Sequence, residues 1–346
     1  MFIEKRMKSF PWADSTMSQL KARRLKACER YLAGLPDVNL FDPDLTDLKA
    51  EELFERSWDF EENHETKLHS IEEMRNEVLS RFQQEIELLS PGEHDLLVRL
   101  ILLGGRLPLY RPEIYHFAVS LIRRLWASID SSGQIPVLRL PSPIFMNALL
   151  VLAKDEHKSA REKINLVFDD IENLLYLCGL LRIHEAIHIL ELSDPGTGES
   201  GKSRFYLRAL KAEFDTFLHP EIDLCLIHPG MANPAEFVHY LQPFPFLHME
   251  SEGFLPETYD ALSSIEDPLF DRLLGLIQHL IRTEQSAEEI LEDLIIMVKQ
   301  GAPFEALQEV LSARIISLLS PEMKYVLSEM VRTIPRWTSL GMGQVQ

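Results

Sequence analysis

The chain has few cysteines, few basic residues for its size and no long apolar run, and each shortage removes a class of protein. Only Cys28, Cys178 and Cys225 occur in 346 residues. An odd number at wide spacing supports neither a disulfide framework nor a cysteine-based zinc ribbon, and it points to a reducing compartment. Thirty-five Lys and Arg stand against fifty-four Asp and Glu, a formal net charge of -19. That balance opposes approach to a polyanion and sets the chain against nucleic acid. The longest apolar run, residues 174–181, falls far short of the roughly 20 residues a membrane-spanning helix needs, and the N-terminus lacks an apolar signal core. The expectation is a soluble, cytoplasmic protein with no transmembrane segment.

Basic charge is scarce overall but gathers at one end. Residues 1–30 hold Lys5, Arg6, Lys8, Lys21, Arg23, Arg24, Lys26 and Arg30 against Glu4, Asp14 and Glu29. An arm of residues 1–33 with this charge suits an acidic partner, a membrane surface or the acidic remainder of its own chain, and it also fits a targeting peptide.

Apolar residues recur at helical spacing through most of the rest. Ile71, Met74, Val78, Phe82, Ile86 and Leu89 define a long amphipathic helix. Ser90-Pro91-Gly92-Glu93 and Ser286-x-x-Glu289 have the form of capping boxes. Residues 134–140 allow a short edge strand at most. Gly179 predicts a bend or a tight helix-to-helix turn, and Leu207, Leu210, Phe214 and Phe217 predict a helix over residues 205–217. Prolines 220, 229, 234, 243, 245 and 256 leave room for one short helix, around residues 235–241. The predicted fold is all-α, a multi-helix bundle or irregular α-solenoid-like array with at most one or two short edge strands. Its expected divisions are a basic arm (1–33), a helical domain (34–220), a proline-rich connection (221–256) and a C-terminal helical bundle (257–346).

Chemistry concentrates in residues 182–213. His184-Glu185-Ala186-Ile187-His188 places two imidazoles four apart on one helix face, where both reach one zinc while the glutamate between them activates a metal-bound water. The string resembles the gluzincin class of HExxH peptidases. That resemblance implies His184, His188 and Glu213 as zinc ligands and Glu185 as general base. Ala186 and Arg182 differ from the residues usual around that motif, and Phe217 stands where an aspartate usually follows the ligand glutamate. Residues 177–191 also resemble a pentatricopeptide-type helical hairpin, in which Ala186 is small because two helices cross closely there. A loose echo, Glu305-Ala306, lies in residues 298–312.

Gly196-Thr197-Gly198-Glu199-Ser200-Gly201-Lys202-Ser203 resembles the phosphate loop of heterotrimeric G-protein alpha subunits, which implies Lys202 on phosphates and Ser203 on magnesium. Such a loop leaves the end of a buried parallel strand, whereas Ser193-Asp194-Pro195 separates this one from a helix-like segment. The function expected by elimination is a non-enzymatic helical adaptor, regulator or scaffold with a protein partner and no cofactor. The alternative is a zinc-dependent HExxH metallopeptidase, and the third reading is a P-loop nucleotide binder.

Overall fold

The computed structural model describes residues 17–35, 39–57, 70–193, 202–220, 223–231, 233–235, 237, 268–283, 285–334, 336 and 337. Residues 1–16 of the basic arm, residues 196–201 of the glycine-rich string and residues 238–256 of the proline-rich segment lie outside these.

Five helices and three short strands open the chain: α1 (Met17–Ala33), α2 (Asp47–Glu55), α3 (Ile71–Glu87), α4 (Pro91–Leu102), β1 (Arg106–Pro108), α5 (Tyr115–Arg123), β2 (Ser128–Asp130) and β3 (Val137–Arg139). Then come α6 (Ser142–Leu152), α7 (Asp155–Cys178), β4 (Leu180–Arg182), α8 (Ile183–Ser193), α9 (Ser203–Glu213), β5 (Asp215–His219) and β6 (Asp223–Ile227). The last quarter holds α10 (Pro268–Ile277), α11 (Ala287–Lys299), α12 (Phe304–Arg314) and α13 (Pro321–Thr333).

Capping chemistry sets several helix starts. Ser70 with Glu73, Ser90 with Glu93 and Ser286 with Glu289 form reciprocal capping boxes at α3, α4 and α11, and Ser320 caps α13. Each box gives partners to backbone amides that the first helical turn leaves unpaired. Thr46 sits at the start of α2 but makes no side-chain cap.

The protein is mostly helical but not all-α, because two three-stranded antiparallel sheets interrupt the helices, in the orders β1-β3-β2 and β4-β6-β5. Val137–Arg139 is a central strand, paired on both sides, with Leu138 wholly buried. The helix expected over residues 205–217 ends at Glu213. Phe214 turns to extended backbone (φ -110°, ψ 151°), and along β5 half-buried and exposed residues then alternate, the two-residue period of a strand. Phe217 therefore lies on a sheet. Gly179 does end a helix, in the left-handed conformation (φ +77°), but a strand follows it rather than a second helix.

The apolar interior falls into clusters. One joins α2 through α6 around Phe82, Trp126 and Leu138, and another lies within α10 to α13. Between them, α7, α8, α9 and β6 enclose Phe168, Ile171, Ala186, Leu210 and Leu226. Among the described residues, no helix is long and apolar enough to cross a membrane.

A charged network runs through this interior. Arg124, after α5, donates from Nε (2.9 Å) and Nη2 (3.2 Å) to Glu93 of α4 and from Nη1 to Glu85 of α3 at 3.0 Å. Arg208 of α9 reaches the other Glu85 oxygen at 3.0 Å, and Ser120 Oγ donates to Glu93. All five side chains are buried. Buried charge is tolerable only when paired and hydrogen-bonded in this way.

Candidate binding cleft

The residues singled out in the sequence take separate places. His184 and His188 both lie exposed on α8. Glu185 is half-buried, and its Oε2 accepts the Arg182 N–H at 3.2 Å, which caps the first turn of α8. Burial pushes the Glu185 carboxyl upward, against that hydrogen bond and the Arg182 charge. Ala186, on the same helix, is wholly buried where α8 packs against its neighbours.

Glu213 points elsewhere. Its Oε2 accepts the Gly92 N–H at 3.1 Å, with a further hydrogen bond from Ser90, at the N-terminus of α4. A carboxylate is at home there, because unpaired amides and the helix dipole both favour negative charge. Among the described residues, no three His, Cys, Asp or Glu side chains are grouped to hold a metal ion. Ser203 Oγ donates to Glu191 Oε1 at 2.7 Å and so ties the start of α9 to α8. The element before the glycine-rich string is a helix, α8, not a strand.

Glu213 is brought together with a different set of residues. A cleft of about 190 Å³ is lined by Pro91 of α4, Phe168, Asp169, Glu172 and Leu175 of α7, Glu213, Phe214 and Asp215 between α9 and β5, and His228 and Pro229 after β6. Phe168, Glu172 and Leu175 are spaced i, i+4, i+7, which puts them on one helix face. The rings of Phe168 and Phe214 stack with centroids 5.9 Å apart and planes 12° apart. The cleft thus has apolar walls and four carboxylates.

Its electrostatics follow from that mixture. Burial raises the Glu172 carboxyl above the ordinary carboxylate range, and the nearby Asp169 and Glu292 charges raise it further. Burial likewise raises Glu213, opposed by its hydrogen bonds from Ser90 and Gly92. Among the described residues, no Lys or Arg forms an ion pair with Asp169, Glu172 or Glu213. His228 is buried and accepts the Gly230 N–H on Nδ1 at 3.0 Å, so its ring proton sits on Nε2.

The base of the cleft is fixed by close packing. His228 N–H donates to Gly179 O at 2.8 Å, and Trp337 Nε1 donates to Tyr176 O at 3.1 Å. A Cβ on Gly179 would stand 2.6 Å from Met231 Cε and 2.7 Å from the Trp337 ring. Position 179 therefore needs glycine for space as well as for its positive φ.

Such a cleft can hold a cation. An alkylammonium or guanidinium group on an aliphatic stem uses both the apolar walls and the carboxylates. The volume, about six waters' share of liquid, suits one long side chain. Sequence reasoning found Glu213 but missed Asp169 and Glu172. The available signal was an acidic residue on the Phe168/Leu175 face of a helix. Set beside known proteins, the chain matches no family model, no curated protein and no solved structure.

Proposed function

We propose that this chain is a binding protein, an adaptor or regulator, that holds a basic segment of a protein partner, with one Lys or Arg side chain of that segment seated in the cleft. The observation that carries the reading is the set of carboxylates at an apolar-walled cleft with no Lys or Arg paired to Asp169, Glu172 or Glu213 among the described residues. Glu213 already lies within the field of Arg161; an arriving cation supplies counter-charge to Asp169 and Glu172, and its methylene stem covers Phe168 and Phe214. The net charge of -19 steers such a partner toward the chain and weakens its approach as salt rises.

The test is titration of lysine- and arginine-containing peptides into the full chain, followed by calorimetry or fluorescence anisotropy. Binding weakens with added salt, and Asp169→Asn/Glu172→Gln weakens it by about tenfold or more, as expected for two partly buried charge contacts. Equal affinity of this variant and the native chain would remove the cleft from the account.

A further inference from the structure

The strand β5 lies at the edge of the sheet β4-β6-β5, and among the described residues it pairs with β6 alone. Its free edge can be read from the ladder. His228 N–H donates to Gly179 O at 2.8 Å, which makes these two a hydrogen-bonded pair in the register that sets Leu180 against Ile227. Successive residues of an antiparallel strand bond to opposite sides, so Leu226 bonds toward β4 while Ile227 and Cys225 bond toward β5. Asp215 and Phe217, opposite Ile227 and Cys225, therefore bond to β6, and Thr216 and Leu218 turn their N–H and C=O groups outward. Both side chains are exposed, Leu218 by 69%. The strand lacks the usual guards of an edge: Asp215-Thr216-Phe217-Leu218-His219 holds no Lys, Pro or Gly, and its five pairs with β6 run without a bulge.

We infer that an extended basic segment of a protein partner adds to this sheet as a strand along β5, hydrogen-bonding to Thr216 and Leu218 while one of its Lys or Arg side chains enters the cleft. The inference rests on the cleft reading above and extends it to how the partner's backbone is held. Continuity and charge select the occupant. Asp215, the first residue of β5, lines the cleft together with Glu213, Asp169 and Glu172, so the free edge begins at the carboxylates. Leu218 lies only about 10 Å further along the strand, within the span of a short extended peptide. A second copy would bring its own carboxylates to the same edge, and bodies of net charge -19 repel each other, whereas a basic strand is attracted. Main-chain hydrogen bonds give affinity for an extended backbone, and the cleft gives the preference for a basic side chain. The exposed Leu218 side chain offers an apolar residue of the added strand a cross-strand neighbour.

The test remakes the tightest lysine- and arginine-containing peptide of the titration above with a single N-methyl amide at each position in turn, and titrates each into the full native chain. Affinity is expected to fall by about tenfold at alternate positions of the paired stretch and to change little at those between, the two-residue period of a strand. On the protein side, Leu218→Pro removes one outward donor without touching a bond to β6. It is expected to weaken binding by about tenfold while circular dichroism stays near native. N-methylation that weakens binding with no two-residue period, or nowhere, overturns the inference. If Asp169→Asn/Glu172→Gln still weakens binding in that case, the cleft reading survives the failure of the strand. Absence of binding of any basic peptide to the native chain overturns both. A native chain that self-associates, and loses that association in Leu218→Pro, also overturns the inference and gives the edge to a second copy.

Discussion

The interior network and the cleft are both built from carboxylates at helix junctions, yet they treat charge in opposite ways. Glu85 and Glu93 are buried and meet Arg124 and Arg208 at 2.9 to 3.2 Å. Asp169, Glu172 and Glu213 line a cleft, and among the described residues none is ion-paired to Lys or Arg. Where charge serves the fold it is matched. Glu213 also serves the fold at the start of α4 through its hydrogen bonds from Gly92 and Ser90, while burial pushes Glu172 and Glu213 toward the neutral form. An arrangement that costs the folded state something and is satisfied by a cation is what a binding site for a basic group requires.

Removing a cation from the matched set should have the largest effect. Arg124→Met leaves Glu85 and Glu93 buried with too few partners, and urea unfolding is expected to show a loss of about 3–5 kcal/mol. A loss below about 1 kcal/mol would mean that the network does not hold α3, α4 and α5 together.

Acid probes a second way of burying titratable groups. His94 of α4 and His157 of α7 face each other through their Nε2 atoms at 3.2 Å, with the Arg161 guanidinium nearby. Burial and the Arg161 charge lower both, and His94 falls to about 3. The unfolded chain takes up protons as pH falls below about 6.5, whereas the folded chain does so only much lower for His94. The stability tied to His94 is therefore full above that pH and is lost progressively down to about 3, by at most about 1.4 kcal/mol per pH unit, and the lowered His157 acts in the same direction. Glu172 and Glu213, with raised carboxyls, act in the opposite sense and offset part of the loss. Urea melts at several pH values on native protein and on His94→Gln/His157→Gln check this, with the variant giving the flatter profile.

Lys299 is a buried cation with no carboxylate ion pair among the described residues. Its ammonium lies 4.2 Å from the Tyr176 ring centre, and burial lowers it to about 8, partly opposed by Cys178. Between that value and the ordinary lysine range the unfolded chain holds a proton the folded chain releases, so stability rises with pH there. Lys299→Met should raise stability at neutral pH, where the ammonium is still charged, by about 2 kcal/mol, the cost of burying that charge less the lost cation-π contact. Thermal melts that show a loss instead would make the ring contact the dominant interaction.

The smallest effect belongs to the cleft. Glu172→Gln should leave the midpoint of unfolding unchanged or raise stability by roughly 0.5 kcal/mol or less, since solvent screens this partly exposed group. A clear loss would place Glu172 among the structural charges.

Long-period signals were legible in the sequence, and short ones were not. Ile71, Met74, Val78, Phe82 and Ile86 gave α3, and the Ser90 and Ser286 boxes gave their helix starts, because these patterns persist over a full turn or more. The strands β1, β2, β3 and β4 have three residues each, too few to display a two-residue period. Residues 177–191 and 298–312 show the limit most clearly. Gly301, at φ +89°, joins α11 to α12 as a plain helical hairpin, while Gly179, at φ +77°, leads into β4. The difference lies in a distant partner: β6 pairs Leu180 with Ile227 and Arg182 with Cys225. For the same reason Glu213 was visible as an acidic residue on a helix, but its neighbours Asp169, Glu172 and His228 come from other elements.

The central claim is that the cleft takes a basic side chain. Calorimetric titration of a lysine- and arginine-rich peptide into the native chain and into Asp169→Asn/Glu172→Gln, each at low and raised salt, tests it most directly. The account predicts saturable binding to the native chain that weakens with salt and falls by about tenfold or more in the variant. Absence of binding to the native chain, or the same affinity and salt dependence in both, would contradict it.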